Sequence, residues 1–360
     1  MSTSLLDRVE KLCNVDVDDA DTDVIKSIPF MPHNQTSNQA VITKELLKPS
    51  NQTLLKDLVA RYGEQGWEKV YDAAAVHICA RNVPYISGRV LVQVSLRHVN
   101  DRQAIIEQSR SFAKMFKDLG VSQDRFAIKL PFSGAAASAA LELNEEGIRT
   151  LATTVFSLEQ AIAASQSNCL FISPYFNEVA AHFDASLRVT TQDPALEHPM
   201  SSRIIHILEA FTEAYARTGK EQPVMVIASH FEPAEILAMA ELGCQHVTIS
   251  ASLLQKLMQT PDNLPPIVGQ KPEHPYATLA TPERLKVLST MDGLAGPEWN
   301  GIKATMETDY VSHGGQKLDE VFRQDAALRR RFDDAAQFFL KAEEQAKVAI
   351  EQEMRGSLHK

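Results

Sequence analysis

Eight short apolar runs alternate with helix-like segments through residues 14–258, no GxGxxG turn opens any of those helices, and the texture becomes polar and then helical after residue 259. These observations predict an α/β chain: a (β/α)8 TIM barrel with a C-terminal helical extension, read as a single domain over residues 1–360. A doubly wound open sheet is the structural alternative, and its phosphate-binding fingerprint is missing. With 360 residues and 44% hydrophobic content, the chain is long enough for one barrel of this kind.

The elements follow in order. Early strands are expected at 14–18 and 35–38. Residues 90–96 make the next strand, followed by a helix over 101–119 with Ile105, Phe112, Met115, Phe116 and Leu119 on one face and Gly120 as its stop. The strand 125–131 precedes an alanine-rich helix, 133–146, that ends at Gly147. A strand at 150–156, a helix at 158–165 and a strand at 169–175 come next. A longer connection carrying Pro194 and Pro199 leads to the helix 202–217 and the strand 224–229. The last unit is the helix 233–242 closed by Gly243, the strand 245–250 and the helix 251–258. Beyond it, 262–275 reads as a surface loop and 325–354 as a long helix whose mixed charges form a solvated face while the rest packs on the barrel.

Composition excludes several classes. A net charge of −10 offers no basic field for nucleic acid or an anionic membrane. Residues 1–12 carry charges every few positions with no apolar h-region, and no run is long enough to span a bilayer. Cys13, Cys79, Cys169 and Cys244 are scattered without a CxxC pair and read as reduced thiols of a cytoplasmic protein. The histidines lack HxH or HExxH spacing, so no metal site is readable. No cofactor is expected, the partner is a small carbonyl compound, and a homodimer is one assembly to test.

The chemistry centres on Lys129 in Arg125-Phe126-Ala127-Ile128-Lys129-Leu130-Pro131. Strand alternation puts Phe126, Ile128 and Leu130 on one face and Ala127 beside Lys129 on the other. Burial disfavours the ammonium form and frees the amine to attack a carbonyl, which is how a Schiff-base lysine arises. The bland alternative is a strand-end lysine reaching solvent or a carboxylate. In a barrel, function gathers at the carboxyl ends of the strands, and those ends carry Asp18, Asn38, Gln93, Lys129, Thr153, Ser173, Tyr175 and Ser229. Singly, each has a structural explanation: hydroxyls satisfying backbone groups, an asparagine in a turn, a tyrosine in the core. Together they supply what class I aldol chemistry requires: an imine-forming amine, a carboxylate for proton transfer, and hydroxyl and amide groups to hold hydroxylated substrate.

The wording then becomes specific. Val17-Asp18-Asp19-Ala20-Asp21, Thr36-Ser37-Asn38, Gly88-Arg89-Val90, Ile128-Lys129-Leu130, Glu146-Gly147-Ile148, Ile172-Ser173-Pro174-Tyr175, Ala228-Ser229 and Gly243-Cys244-Gln245-His246-Val247-Thr248-Ile249 occur in the order seen in the transaldolase family, which the chain resembles over residues 14–258. The resemblance implies that Lys129 forms the imine and that Asp18 is its acid/base carboxylate. It further implies that Asn38 and Ser173 hold donor hydroxyls and that Thr153 holds a catalytic water. Three departures look like the fructose 6-phosphate aldolase branch: Gln93 for a glutamate, Tyr175 for a phenylalanine, and Leu151 for an asparagine. In that branch the tyrosine hydroxyl and a glutamine-held water serve proton transfer.

Two more departures concern substrate charge. Where the family clamps phosphate with basic residues, this chain has Glu178 and Phe231, with His230 beside the latter. A carboxylate about 4 Å from a phosphate repels it by roughly 4 kcal/mol per charge pair at an effective dielectric of about 20, and no arginine near in sequence replaces the lost pair. Phe231 and His230 point to an apolar or aromatic acceptor, with a satisfied rim histidine as the bland reading of His230. The expected function is a Schiff-base aldolase or transferase making or breaking a C–C bond in an unphosphorylated carbonyl compound, in specialised metabolism. The alternatives are a pentose phosphate transaldolase moving a dihydroxyacetone unit between sugar phosphates, and a non-catalytic descendant.

Overall fold

The computed structural model describes residues 3–267, 271–295 and 299–357. Eight parallel strands close into a barrel: β1 (Asn14–Asp18), β2 (Gln35–Thr36), β3 (Val90–Gln93), β4 (Phe126–Pro131), β5 (Thr150–Val155), β6 (Phe171–Pro174), β7 (Val224–Ile227) and β8 (His246–Ser250), with β8 paired back to β1. All the expected strands are present, mostly trimmed at their carboxyl ends, where the chain leaves the ladder to build the mouth. In β4, Phe126, Ile128 and Leu130 face the surrounding helices while Ala127 joins the barrel interior. Lys129 therefore points inward with Ala127, as alternation requires.

Strand-to-helix turns are fixed by short polar side chains that accept from orphan amides at the helix starts. Asp101 accepts from Ala104 N at 3.0 Å, Ser133 from Ala136 N at 3.1 Å and Asn38 from Val41 N at 3.1 Å. Helix Arg102–Asp118 buries Ile105, Phe112, Met115 and Phe116 as expected, but Leu119 falls in the cap beyond the last turn and is 38% exposed. Between β2 and β3 lie three helices that the sequence reading left unassigned: Gln39–Leu46, Gln52–Tyr62 and Trp67–Ala80. The first described helix, Leu5–Leu12, was likewise unassigned.

The C-terminal extension is docked at two places. Helix Ser312–Gln324 meets helix Gly134–Glu145 through a backbone-to-backbone approach in which a Cβ on Gly134 would stand 2.3 Å from the Gly315 carbonyl oxygen, so both positions need glycine. Helix Ala326–Ser357 then crosses the barrel mouth. Its Leu328, Ala335 and Phe339 pack with Leu96, Phe156 and Tyr175 from the ends of β3, β5 and β6. Ser95 Oγ donates to Glu343 Oε2 at 2.9 Å, and Thr43 Oγ1 donates to the Ala342 carbonyl at 3.0 Å. The expected loop 262–275 is irregular where described, and residues 268–270 lie outside the described residues. All four cysteines are buried and unbridged. Among the described residues no helix is long and apolar enough to cross a membrane.

Candidate active site at the barrel mouth

Leu91, Ala127, Leu151, Phe171 and Val226 of β3 to β7 form one buried apolar cluster inside the barrel. Two residues further along the same strands, on the same inward face, stand Gln93, Lys129, Thr153 and Ser173. Lys129 is thus raised on a dry floor. It is 3% exposed and its ammonium has no hydrogen-bond partner among the described residues. Burial pulls its pKa below the usual lysine value, and the charge of Asp18 opposes this only in part.

Asp18, at the end of β1, moves the other way. Burial raises its pKa, against the Lys129 charge and a 2.7 Å hydrogen bond donated by Thr36 Oγ1. Both shifts run against charge, easing loss of the Lys129 proton and retention of the Asp18 proton, the directions that addition to a carbonyl and delivery of a proton require.

Thr153 Oγ1 donates to Tyr175 OH at 3.3 Å, so these hydroxyls meet directly. The Tyr175 ring stands edge-on to Phe156 at 5.7 Å beneath the crossing helix, and burial raises its phenol pKa. Gln93 is held by a residue the sequence reading missed: its Nε2 donates to Gln39 Oε1 at 2.5 Å. Gln39 is itself anchored on the Val94 carbonyl at 2.9 Å. Gln93 Oε1 is buried without a hydrogen-bond partner among the described residues, Thr153 included. Ser173 is buried beside Thr153 in the β5–β6 register, with no partner for its hydroxyl among the described residues. Asn38 uses its carbonyl oxygen as a helix cap, and its amide N–H groups have no hydrogen-bond partner among the described residues.

Next to Asp18, on the side the crossing helix leaves open, a cavity of about 520 Å³ is lined by Ser229, His230, Phe231, Thr248 and Lys256, with His182 at its rim. Ser229 adopts φ +70° and donates to the Asn177 carbonyl at 2.7 Å, so the His182 Nε2–H is the donor in the 2.9 Å contact to Ser229 Oγ. The Phe231 ring lies 4.5 Å from His182 and 4.6 Å beneath the guanidinium of Arg188. His230 differs from the satisfied rim histidine of the bland reading, because its buried Nε2 has no hydrogen-bond partner among the described residues.

Glu178 requires a correction. It is not an isolated carboxylate: Arg330 Nη2 binds its Oε2 at 2.7 Å and Arg331 Nε at 3.2 Å, both from the crossing helix. Its charge is spent on the roof, which sequence proximity could not reveal because the nearer partner, Arg330, is 152 positions away. Arg188 also places a cation beside Phe231, so the mouth is less poor in positive charge than residues 178 and 231 alone suggested. Among the described residues no group of three or more His, Cys, Asp or Glu side chains is arranged to hold a metal.

Comparison with known proteins gives a consistent result. Residues 15–291 match the model of the family described as Transaldolase/Fructose-6-phosphate aldolase. A transaldolase of Methylobacillus flagellatus is 28% identical over 270 residues, covering 72% of this chain and 81% of that protein. The human transaldolase is 28% identical over 276 residues, covering 74% and 79%. That of Rhizobium leguminosarum bv. trifolii is 30% identical over 261 residues, covering 71% and 78%.

Proposed function

Because the chain belongs to the transaldolase/fructose 6-phosphate aldolase family, we propose that it is a class I aldolase whose Lys129 forms an imine with an unphosphorylated carbonyl compound. One observation carries this reading: a buried amine without a hydrogen-bond partner, on an apolar floor, facing a carboxyl group. In the reaction the Lys129 amine adds to a ketone carbonyl, and Asp18 gives a proton to the departing oxygen so that water leaves. Loss of a proton from the neighbouring carbon makes the enamine, which attacks the acceptor aldehyde to form the new bond. Water then hydrolyses the imine and returns the amine. Tyr175 and Thr153, linked hydroxyl to hydroxyl, carry protons on the β5–β6 side. Gln93 offers an amide oxygen, and Ser173 and Asn38 offer polar groups for donor hydroxyls.

A second reading is transfer of a dihydroxyacetone unit between sugar phosphates. It is favoured by Arg188 above Phe231 and by Lys256 in the cavity wall, two cations that an anionic acceptor can use. Borohydride trapping with a panel of small ketones, read by intact mass and peptide mapping, tests the mechanism. An adduct on Lys129, lost in Lys129→Met together with at least about 10³-fold of turnover, is the expected result. An adduct on Lys44 or full activity in Lys129→Met removes the reading. Saturable transfer from fructose 6-phosphate to erythrose 4-phosphate at ordinary metabolite concentrations would replace the first reading by the second.

A further inference from the structure

Gln39, the first residue of helix Gln39–Leu46, is 2% exposed and lays its side chain against the end of β3. Its Nε2 donates to the Val94 carbonyl at 2.9 Å and reaches the Gln93 carbonyl at 3.4 Å. Backbone carbonyls only accept, so these two fix which end of the Gln39 amide is nitrogen. Its oxygen is then the atom that meets the Gln93 side chain at 2.5 Å, and an oxygen needs a donor opposite, which is Gln93 Nε2. Neither amide can turn over without setting oxygen against oxygen. The Tyr71 hydroxyl donates to the Gln39 backbone carbonyl at 3.1 Å and holds the helix start in place. Gln93 keeps its own amide oxygen off this contact, in the inward layer where Lys129 is its register partner.

We propose that Gln39 is a positioning residue for this site: it locks the Gln93 amide with the oxygen free and so selects glutamine over glutamate at position 93. A glutamate there would set a carboxylate oxygen against Gln39 Oε1 with no hydrogen between them. Gln39 cannot answer by turning, because its own oxygen would then face the Val94 and Gln93 carbonyls. The acceptor that keeps Gln93 in place therefore also keeps a general base out of position 93. The departure from glutamate seen in the sequence acquires a local cause, supplied by a residue 54 positions away. For its effect on rate the inference rests on the aldolase reading; for its effect on residue choice it rests on the hydrogen-bond pattern alone.

The test is a double-mutant cycle on the full chain at pH 8. Gln93→Glu should lower the urea midpoint by about 0.5 M in the starting protein and by less than half as much in the Gln39→Met background, where the facing acceptor is gone. Should Gln39→Met not fold, Gln39→Ser takes its place with the same expectation. With dihydroxyacetone as the probe, Gln39→Met should lower the maximal rate of borohydride trapping at Lys129 about tenfold, while the half-saturating concentration stays within about twofold. Gln39→Glu, which still offers Gln93 Nε2 an accepting oxygen, should keep most of that rate. An equal midpoint loss in the two backgrounds, an unchanged trapping rate in Gln39→Met, or an equal fall in Gln39→Met and Gln39→Glu overturns the proposal. The midpoint arm needs no turnover, so an absent Lys129 adduct removes the aldolase reading while the cycle still decides whether Gln39 selects the residue at position 93.

Discussion

β1 carries two aspartates on one inward face, and their surroundings differ in kind. Asp16, at the barrel floor, is fully buried and saturated: Asn34 N donates at 2.9 Å, Asn34 Nδ2 at 2.8 Å, and His246 Nδ1 lies 3.0 Å away. Asp18, at the mouth, receives Thr36 Oγ1 and faces Lys129 across the interior. A carboxylate with several fixed donors is a structural charge, stable and unavailable. One with a single donor and a buried amine opposite keeps a proton to exchange. Two residues along one strand separate a saturated carboxylate from one with a single donor.

The largest expected effect tests that contrast directly. Asp16→Ala strands the Asn34 and His246 donors and should cost about 3 kcal/mol of stability by urea midpoint, with turnover per folded molecule within about threefold of the starting protein. Asp18→Asn should do the reverse, lowering the rate of borohydride-trappable imine formation about 10²-fold while the midpoint holds or rises. A midpoint loss in Asp18→Asn as large as that in Asp16→Ala would end the distinction.

A smaller effect concerns the floor beneath the amine. Lys129 has a pKa lowered by burial, so as pH rises its proton leaves earlier than that of a free lysine, and imine formation climbs through that depressed value. Leu151, the neighbour of Lys129 in the β4–β5 register, belongs to the apolar floor. Leu151→Asn should re-solvate the ammonium, raise the lysine pKa toward its usual value and move the climb to higher pH, as read from the pH profile of trapping. A profile moving to lower pH would show that the floor does not set the pKa. The smallest effect belongs to the roof: Arg330 is 47% exposed in its pair with Glu178, and Arg330→Ala should change the urea midpoint by less than about 1 kcal/mol.

Lys129 was legible because strand alternation, an apolar heptapeptide and a strand end coincide in seven residues. Gly147 and Gly243 were legible as stops because each takes a positive φ after a helix. Helix Trp67–Ala80 was not, since it buries a nearly continuous run from Val70 to Cys79 against neighbours on several sides, which erases the one-sided period that marks a surface helix. The Gln39 support of Gln93 was equally hidden, because adjacency to Asn38 says nothing about which amide its side chain meets. Glu178 misled because its neutralising arginines arrive from another element. Local wording pointed to the buried lysine, and long-range pairing was visible only in three dimensions.

That pairing has a consequence for the order of folding. The contact between Ser95 and Glu343 closes a loop of 248 positions, and the entropy of bringing such distant points together must be overcome before the bond can return anything. Strand neighbours β3 and β4, by contrast, register residues 36 positions apart, such as Val90 with Phe126. Strands neighbouring in sequence, such as β3 and β4, are therefore expected to pair before the crossing helix docks, whereas the closure of β8 on β1, between residues 232 positions apart such as Asn14 and His246, carries nearly the same entropic cost as the docking. During that interval Tyr175, Phe156 and Leu96 are uncovered at the rim, and a passing chain can take the place of the absent roof.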